Sequence, residues 1–133
     1  MDNIPLYISW VNEHYELQGA NRTFLNLFKV QEAELIGRNL HWFTTRLNKN
    51  DTTVDCVKKV LTTKKPIYNH IQYFQLKAKK QSFDFWVKQN FVPLVDNDKK
   101  IIGVLMSSID ITCLLYTSPS PRDLSTSRMP SSA

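Results

Sequence analysis

Glycine is scarce in this chain, with three in 133 residues, which leaves little room for a loop that cradles phosphate through its backbone. No GxSxG nucleophile elbow is present either. Cysteine is nearly missing. Cys56 and Cys113 stand far apart with no CxxC and no clustered histidine, so neither a disulfide framework nor a zinc site is indicated, and separate reduced thiols are expected. His14, His41 and His70 are isolated from one another. No apolar run approaches the ~20 residues that a membrane-spanning helix needs. The opening MDNIPLYISW lacks a basic stretch followed by an apolar one. Together these absences predict a soluble cytoplasmic chain with no catalytic constellation, no metal site and no membrane segment.

What is present suits one globular domain. Hydrophobic residues make up 42% of the chain, enough to build a core at this length. The formal charge of +5 comes largely from lysine clusters: Lys58-Lys59, Lys64-Lys65, Lys77 with Lys79-Lys80, and Lys99-Lys100. These runs are short and fall at expected helix ends and turns, where lysine keeps surfaces soluble and sheet edges unattractive to other strands. No nucleic-acid partner is expected from them. Glu32 and Glu34 lie two apart and point in different directions on a short helix, so they make no acid/base pair and are expected to be solvated.

Phe83 to Thr112 reads as a long antiparallel hairpin. FWVKQNFVPL is aromatic and β-branched, Asp96-Asn97-Asp98 supplies turn chemistry, and IIGVLMSSIDI resumes the apolar run. Pro93 removes a ladder donor and belongs near the turn end or at a non-bonding position. Upstream, Leu6–Val11 and Tyr15–Ala20 form a first hairpin around Asn12-Glu13-His14. Asn21 can cap a short helix that carries Phe24, Leu25, Leu27 and Phe28. A second short helix is expected over Gln31–Ile36, ended by Gly37. His41-Trp42-Phe43 enters an irregular loop, after which Asn50 or Asp51 caps a helix through Thr62. Its apolar stripe is Val54, Val57 and Leu61, with Cys56 and Val60 beside it. Ile67–Leu76 reads as a third strand with imperfect alternation, and Lys77–Ser82 as the turn into the long hairpin. The fold class is α+β: about five antiparallel strands in one sheet, with short helices between strands 2 and 3 covering one face.

Several of these elements resemble those of PAS domains, the small sensor modules of signalling proteins. The hairpin follows the family's pattern, with Val92-Pro93-Leu94-Val95-Asp96, Ile101-Ile102-Gly103-Val104 and a closing Asp110-Ile111-Thr112. Gly19-Ala20-Asn21 before Phe24-Leu25, Glu34-Leu35-Ile36-Gly37-Arg38, and Lys65-Pro66 at the third strand match other family elements in order, over roughly residues 4 to 112. The resemblance implies a PAS-like fold over 1–112 and a sensor of bacterial type without enzymatic activity. It also implies a small ligand or protein partner, possible homodimerisation, and a C-terminal output domain in the parent protein. Asp110 and Thr112 would relay the signal at the exit of the last strand, Asp110 tying that exit to the domain and Thr112 capping a following helix. An apolar pocket between the sheet and the Asp51–Thr62 helix would be lined by Phe24, Trp42, Val57, Leu61, Ile71, Trp86 and Met106.

Some PAS subfamilies hold flavin or haem. The photosensory type carries Asn-Cys-Arg-Phe-Leu; the nearest stretch here, Asn21-Arg22-Thr23-Phe24-Leu25, has no thiol, which disfavours flavin-thiol photochemistry. The oxygen-sensor type ligates haem from the long helix, and Asp51–Thr62 contains no histidine, leaving His41 and His70 as remote candidates. A rival reading is a small α+β ligand-binding enzyme of ketosteroid-isomerase-like shape. It would need a carboxylate or histidine in the cavity beside a Tyr or Asp. Tyr7, Tyr15, Tyr68, Tyr73 and Asp84 cannot be assembled into such a site from spacing alone.

From Cys113 onward the composition changes. Six of the ten serines and three of the six prolines fall in residues 113–133. LLYTSPSPRDLSTSRMPSSA resembles translated adapter or vector sequence, and 113–133 is read as a disordered, non-native tail.

Overall fold

The computed structural model describes residues 5–44, 52–78 and 81–112, and within these the side chains of 43, 44, 76–78 and 81–83 are not described. Five strands, β1 (Leu6–Asn12), β2 (Leu17–Ala20), β3 (Ile67–Ala78), β4 (Gln81–Val95) and β5 (Ile101–Asp110), make one antiparallel sheet in the order β2-β1-β5-β4-β3. Helices α1 (Arg22–Phe28), α2 (Glu32–Leu35), α3 (Leu40–Thr44) and α4 (Thr53–Thr63) lie in sequence between β2 and β3. The α+β architecture expected from the sequence is the one observed. The proposed caps at Asn50 and Asp51, and the tail 113–133, lie outside the described residues, as does the centre of the turn expected over Lys77–Ser82.

Local chemistry accounts for the element ends. Asn12 Oδ1 accepts from the His14 and Glu16 backbone N–H groups, and Tyr15 takes a positive φ of 66°. That turn delays β2 until Leu17, two residues later than the aromatic pattern suggested. Asn21 caps α1 by accepting from Phe24 N at 3.0 Å. Glu34 is more than a solvated carboxylate: its Oε1 accepts from Gln31 N at 3.0 Å and closes a capping box on α2. Gly37 follows with φ 88°, the conformation that glycine adopts without strain. His41-Trp42-Phe43 lies in α3 rather than in an irregular loop. Asn39 Oδ1 accepts from His41 N at 2.8 Å, a start signal that the sequence reading passed over.

The long hairpin turns where expected, with Asp96 Oδ1 accepting from Asp98 N and Lys100 N, each at 2.9 Å. Pro93 sits beyond Phe91, the last β4 residue paired with β3, so β4 has a neighbour there only on the β5 side. The imperfect alternation of β3 has a structural cause: its register shifts between Ile67 and His70, and Asn69 has φ 59°. After that bulge His70, Gln72 and Phe74 share one face, whereas Tyr68 is 61% exposed.

The core forms where α4 lies over the sheet. Thr53, Cys56, Val57 and Val60 are the buried residues of α4, spaced i, i+3, i+4 and i+7. Val54 and Leu61 flank this stripe and are only partly buried. Val11, Leu17, Leu35, Phe91 and Val104 complete the buried centre. At the heart of the sheet a Cβ on Gly103 would collide with the Val11 carbonyl oxygen, so this close approach of β5 to β1 needs glycine.

Candidate functional site

A cavity of about 60 Å³ lies between the helix-covered face of the sheet and the helices. By the measure in which one water takes roughly 10–15 Å³, that is room for about five waters. Side chains alternate along a strand, so every second residue looks into it. β1 contributes Tyr7 and Ser9, β5 Met106 and Ser108, β4 Phe85, Val87 and Gln89, and β3 Phe74. Leu17 comes from β2, Phe24, Leu27 and Phe28 from α1, and Leu40 and Thr53 from the first residues of α3 and α4.

Two asparagine and glutamine networks set this wall. Asn21 Nδ2 donates to the Leu6 carbonyl at 2.8 Å, and its Oδ1 accepts from Ile8 N at 3.1 Å as well as from Phe24 N. One side chain thereby pins the start of α1 to β1 and sets Phe24 over the cavity. The second network joins α4 to the sheet. Thr52 N donates to Gln72 Oε1 at 2.8 Å, and Gln72 Nε2 donates to Thr53 Oγ1 at 3.1 Å and to Gln89 Oε1. Beside it, Thr52 Oγ1 and His70 Nε2 are 2.7 Å apart, and the His70 ring meets Phe91 edge-on at 6.0 Å.

Register turns these polar residues into a row. Tyr7 faces Ser108, Ser108 faces Gln89, and Gln89 faces His70, so one polar line crosses four strands. Burial, and then the nearby Asp110 carboxylate, push the Tyr7 phenol above its ordinary pKa, which keeps it a neutral donor.

The exit of β5 adjoins this row. Thr112 N donates to Asp110 Oδ1 at 2.9 Å, and Thr112 Oγ1 accepts from Trp86 N at 2.8 Å. Ile111 N donates to the Trp86 carbonyl at 2.9 Å.

Of the residues expected to line a pocket, Phe24 and Met106 line the cavity. Val57 is fully buried in the core and Leu61 packs partly buried against it, neither on the cavity wall. Trp42 is 37% exposed, with the Arg38 guanidinium 4.6 Å from its ring centroid. Ile71 is 51% exposed, and Trp86 packs on Tyr73 at 5.2 Å. Both sit on the opposite parity from Gln72 and Val87, and therefore on the sheet face turned away from the helices. Sequence reasoning chose bulky residues and missed the polar row. Parity would have found it: Ser108 is two residues from Met106, and Gln89 two from Val87.

Cys56 is buried beside Val57 and Val60 rather than on the cavity wall. Of the groups that the enzyme reading needed, Tyr7 meets the influence of Asp110. Tyr68, Tyr73 and Asp84 are exposed, and Tyr15 lies at the first turn. Among the described residues no three His, Cys, Asp or Glu side chains cluster to hold a metal ion, and no helix is long and apolar enough to cross a membrane.

Residues 5–112 match the family model described as PAS domain. In fold the chain is similar to the PAS domain of a protein from Colwellia psychrerythraea, at TM-score 0.61 and 15% identity over 82% of this chain and 88% of that one. It is similar also to a sensory box sensor histidine kinase from Vibrio cholerae, at TM-score 0.60 and 16% identity over 80% and 82%. The PAS domain of the fruit-fly ELK potassium channel gives TM-score 0.59 and 16% identity over 80% and 86%. At these identities the likeness is one of fold. No curated protein matches the chain.

Proposed function

The chain belongs to the PAS domain family, and on that premise we propose that it is a sensory module whose cavity takes a small ligand and whose β5 exit relays occupancy to a C-terminal output domain in the cytoplasm. One observation carries the reading: the cavity wall and the exit clamp are built from neighbouring residues of the same two strands. Ser108 stands two residues before Asp110, and Val87 directly follows Trp86, whose backbone holds Ile111 and Thr112. A ligand that moves β4 against β5 at Val87 and Ser108 shifts the clamp with them, so occupancy biases the exit between two arrangements. Asp110 serves by fixing the backbone of Thr112, and Thr112 by tying it to β4. The module performs no reaction in this reading. The polar groups on the wall are hydroxyls and an amide, which hold a ligand but do not exchange protons near neutral pH.

A second copy of the chain is the protein partner we assign to the outer sheet face. There Ile71 and Tyr68 are more than half exposed beside the Tyr73 and Trp86 pair. Sedimentation of the chain at rising concentration tests it, and a strict monomer removes it.

Native mass spectrometry with an absorption spectrum, on protein purified from cells without added ligand, tests the sensor reading. A bound small-molecule mass supports it. A protein that comes out empty and then takes up nothing from a library of small molecules overturns it. In a protein that carries an output domain, Asp110→Ala, which removes the acceptor of the Thr112 N–H, should uncouple ligand from output; unchanged regulation counts against the relay.

A further inference from the structure

Gln89 is 5% exposed, lines the cavity, and has its amide oriented by the residues behind it. The Thr52 backbone N–H can only donate, so Gln72 must present its oxygen to it. The Gln72 nitrogen then faces Thr53 Oγ1 and Gln89, and the Gln89 atom that accepts from it must be the oxygen. Gln89 thus keeps its NH2 group for the cavity, and among the described residues no protein acceptor meets that group. Ser9 is equally buried, on the same wall, and its hydroxyl also has no protein partner among them.

The wall carries no formal charge. Its polar members are Tyr7, Ser9, Thr53, Ser108 and Gln89, and the carboxylate that acts on Tyr7, Asp110, is not part of it. An anionic ligand would shed its water with no cation to receive it and with Asp110 repelling it. A cation would find no carboxylate on the wall. A plain hydrocarbon would leave the Gln89 donors unmet, and a site built to hydrogen-bond rejects an analogue that lacks the matching group.

We propose that the cavity selects a small uncharged molecule of a few heavy atoms that presents a carbonyl or similar acceptor to the Gln89 amide, with its apolar body against Phe24, Phe74, Phe85 and Met106. This rests on the reading of the cavity as a ligand site. The phenolic and hydroxyl groups of Tyr7 and Ser108, next in the polar row, stand ready for a second polar atom of the same ligand.

Three probes of similar size separate the alternatives: acetone, neutral with an acceptor; acetate, anionic; and isobutene, without an acceptor. The readout is NMR titration of the full chain, following the Gln89 side-chain amide and the methyls of Met106 and Val87. Acetone should shift these signals and bind roughly tenfold or more tightly than either rival, the difference that one well-placed hydrogen bond of ~1.4 kcal/mol makes. In Gln89→Leu, checked for cooperative unfolding, acetone should lose its advantage over isobutene. Acetate or isobutene binding the wild-type chain as tightly as acetone overturns the ligand class and leaves the cavity a ligand site. No shift at the cavity with any of the three overturns the ligand-site reading itself, and this inference with it.

Discussion

Trp86 holds Thr112 directly and, by a second bond, the residue beside it. The Trp86 N–H donates to the Thr112 hydroxyl at 2.8 Å, and the Trp86 carbonyl accepts from Ile111, the residue before Thr112, at 2.9 Å. The chain leaving β5 is therefore held to the strand whose adjacent residues, Phe85 and Val87, wall the cavity. Occupancy of the cavity and the direction of the exit share one piece of backbone.

Thr112→Val keeps the shape of the side chain and removes the acceptor. It should lower the unfolding free energy by about 0.5–1.5 kcal/mol, the usual worth of one hydrogen bond, and speed hydrogen exchange at the Trp86 amide. A Trp86 amide that exchanges at the wild-type rate would show that the clamp does not hold in solution.

Gln72 is 7% exposed and joins the start of α4 to β4 through three hydrogen bonds. Gln72→Leu should cost about 1–3 kcal/mol in urea unfolding, because Thr52 N–H loses its acceptor and the Gln89 oxygen its donor. In the Gln72→Leu/Gln89→Leu double variant the cost should be less than the sum of the two single ones, since the second change removes a partner already orphaned. Strict additivity would mean that the two amides do not interact.

Gly103 lies on β5 against the end of β1, opposite Asn12. Gly103→Ala puts a methyl group against the Val11 carbonyl oxygen and should destabilise by about 1–3 kcal/mol, with loss of protection at the β1 amides first. A Gly103→Ala protein as stable as wild type would mean that the strands separate without penalty.

Tyr7 sets a dependence on alkaline pH. Its phenol keeps its proton to higher pH in the folded than in the unfolded chain, first through burial and then through Asp110. Between the two values the native state binds more protons, so the stability this group contributes is full below about pH 10 and is lost as pH rises through the folded value. The stability of wild type relative to Tyr7→Phe should be level around neutrality and fall above about pH 10. A difference that stays level into the alkaline range would remove Tyr7 from a desolvated site.

Much of the fold was legible in the chain because its signals are short. Asn21 and the Asp96-Asn97-Asp98 turn each act on backbone groups within a few residues, and both formed as their chemistry predicts. The misses were of two kinds. Asn39 was overlooked as the start signal of α3, although it too is local. The bulge at Asn69 shows in the sequence only as imperfect alternation, which does not locate the one-residue shift that moves every later side chain to the other face. The candidate site suffered from the same ambiguity. Bulky Ile71 and Trp86 attracted attention over Gln89 and Ser108, and hydrophobicity says nothing about which face of a half-covered sheet a residue occupies.

The sequence by itself determined most of the elements, the antiparallel hairpins and the family, since alternation, caps and turns are written within neighbouring residues. Only the tertiary structure decided which face of the sheet the helices cover. It also decided that β1 and β5, from opposite ends of the domain, meet at the centre, and that Tyr7, Ser108, Gln89 and His70 line up across four strands. That row depends on pairings between residues up to a hundred positions apart, chosen by the packing of α4 and the close passage at Gly103. No local pattern encodes contacts at that range.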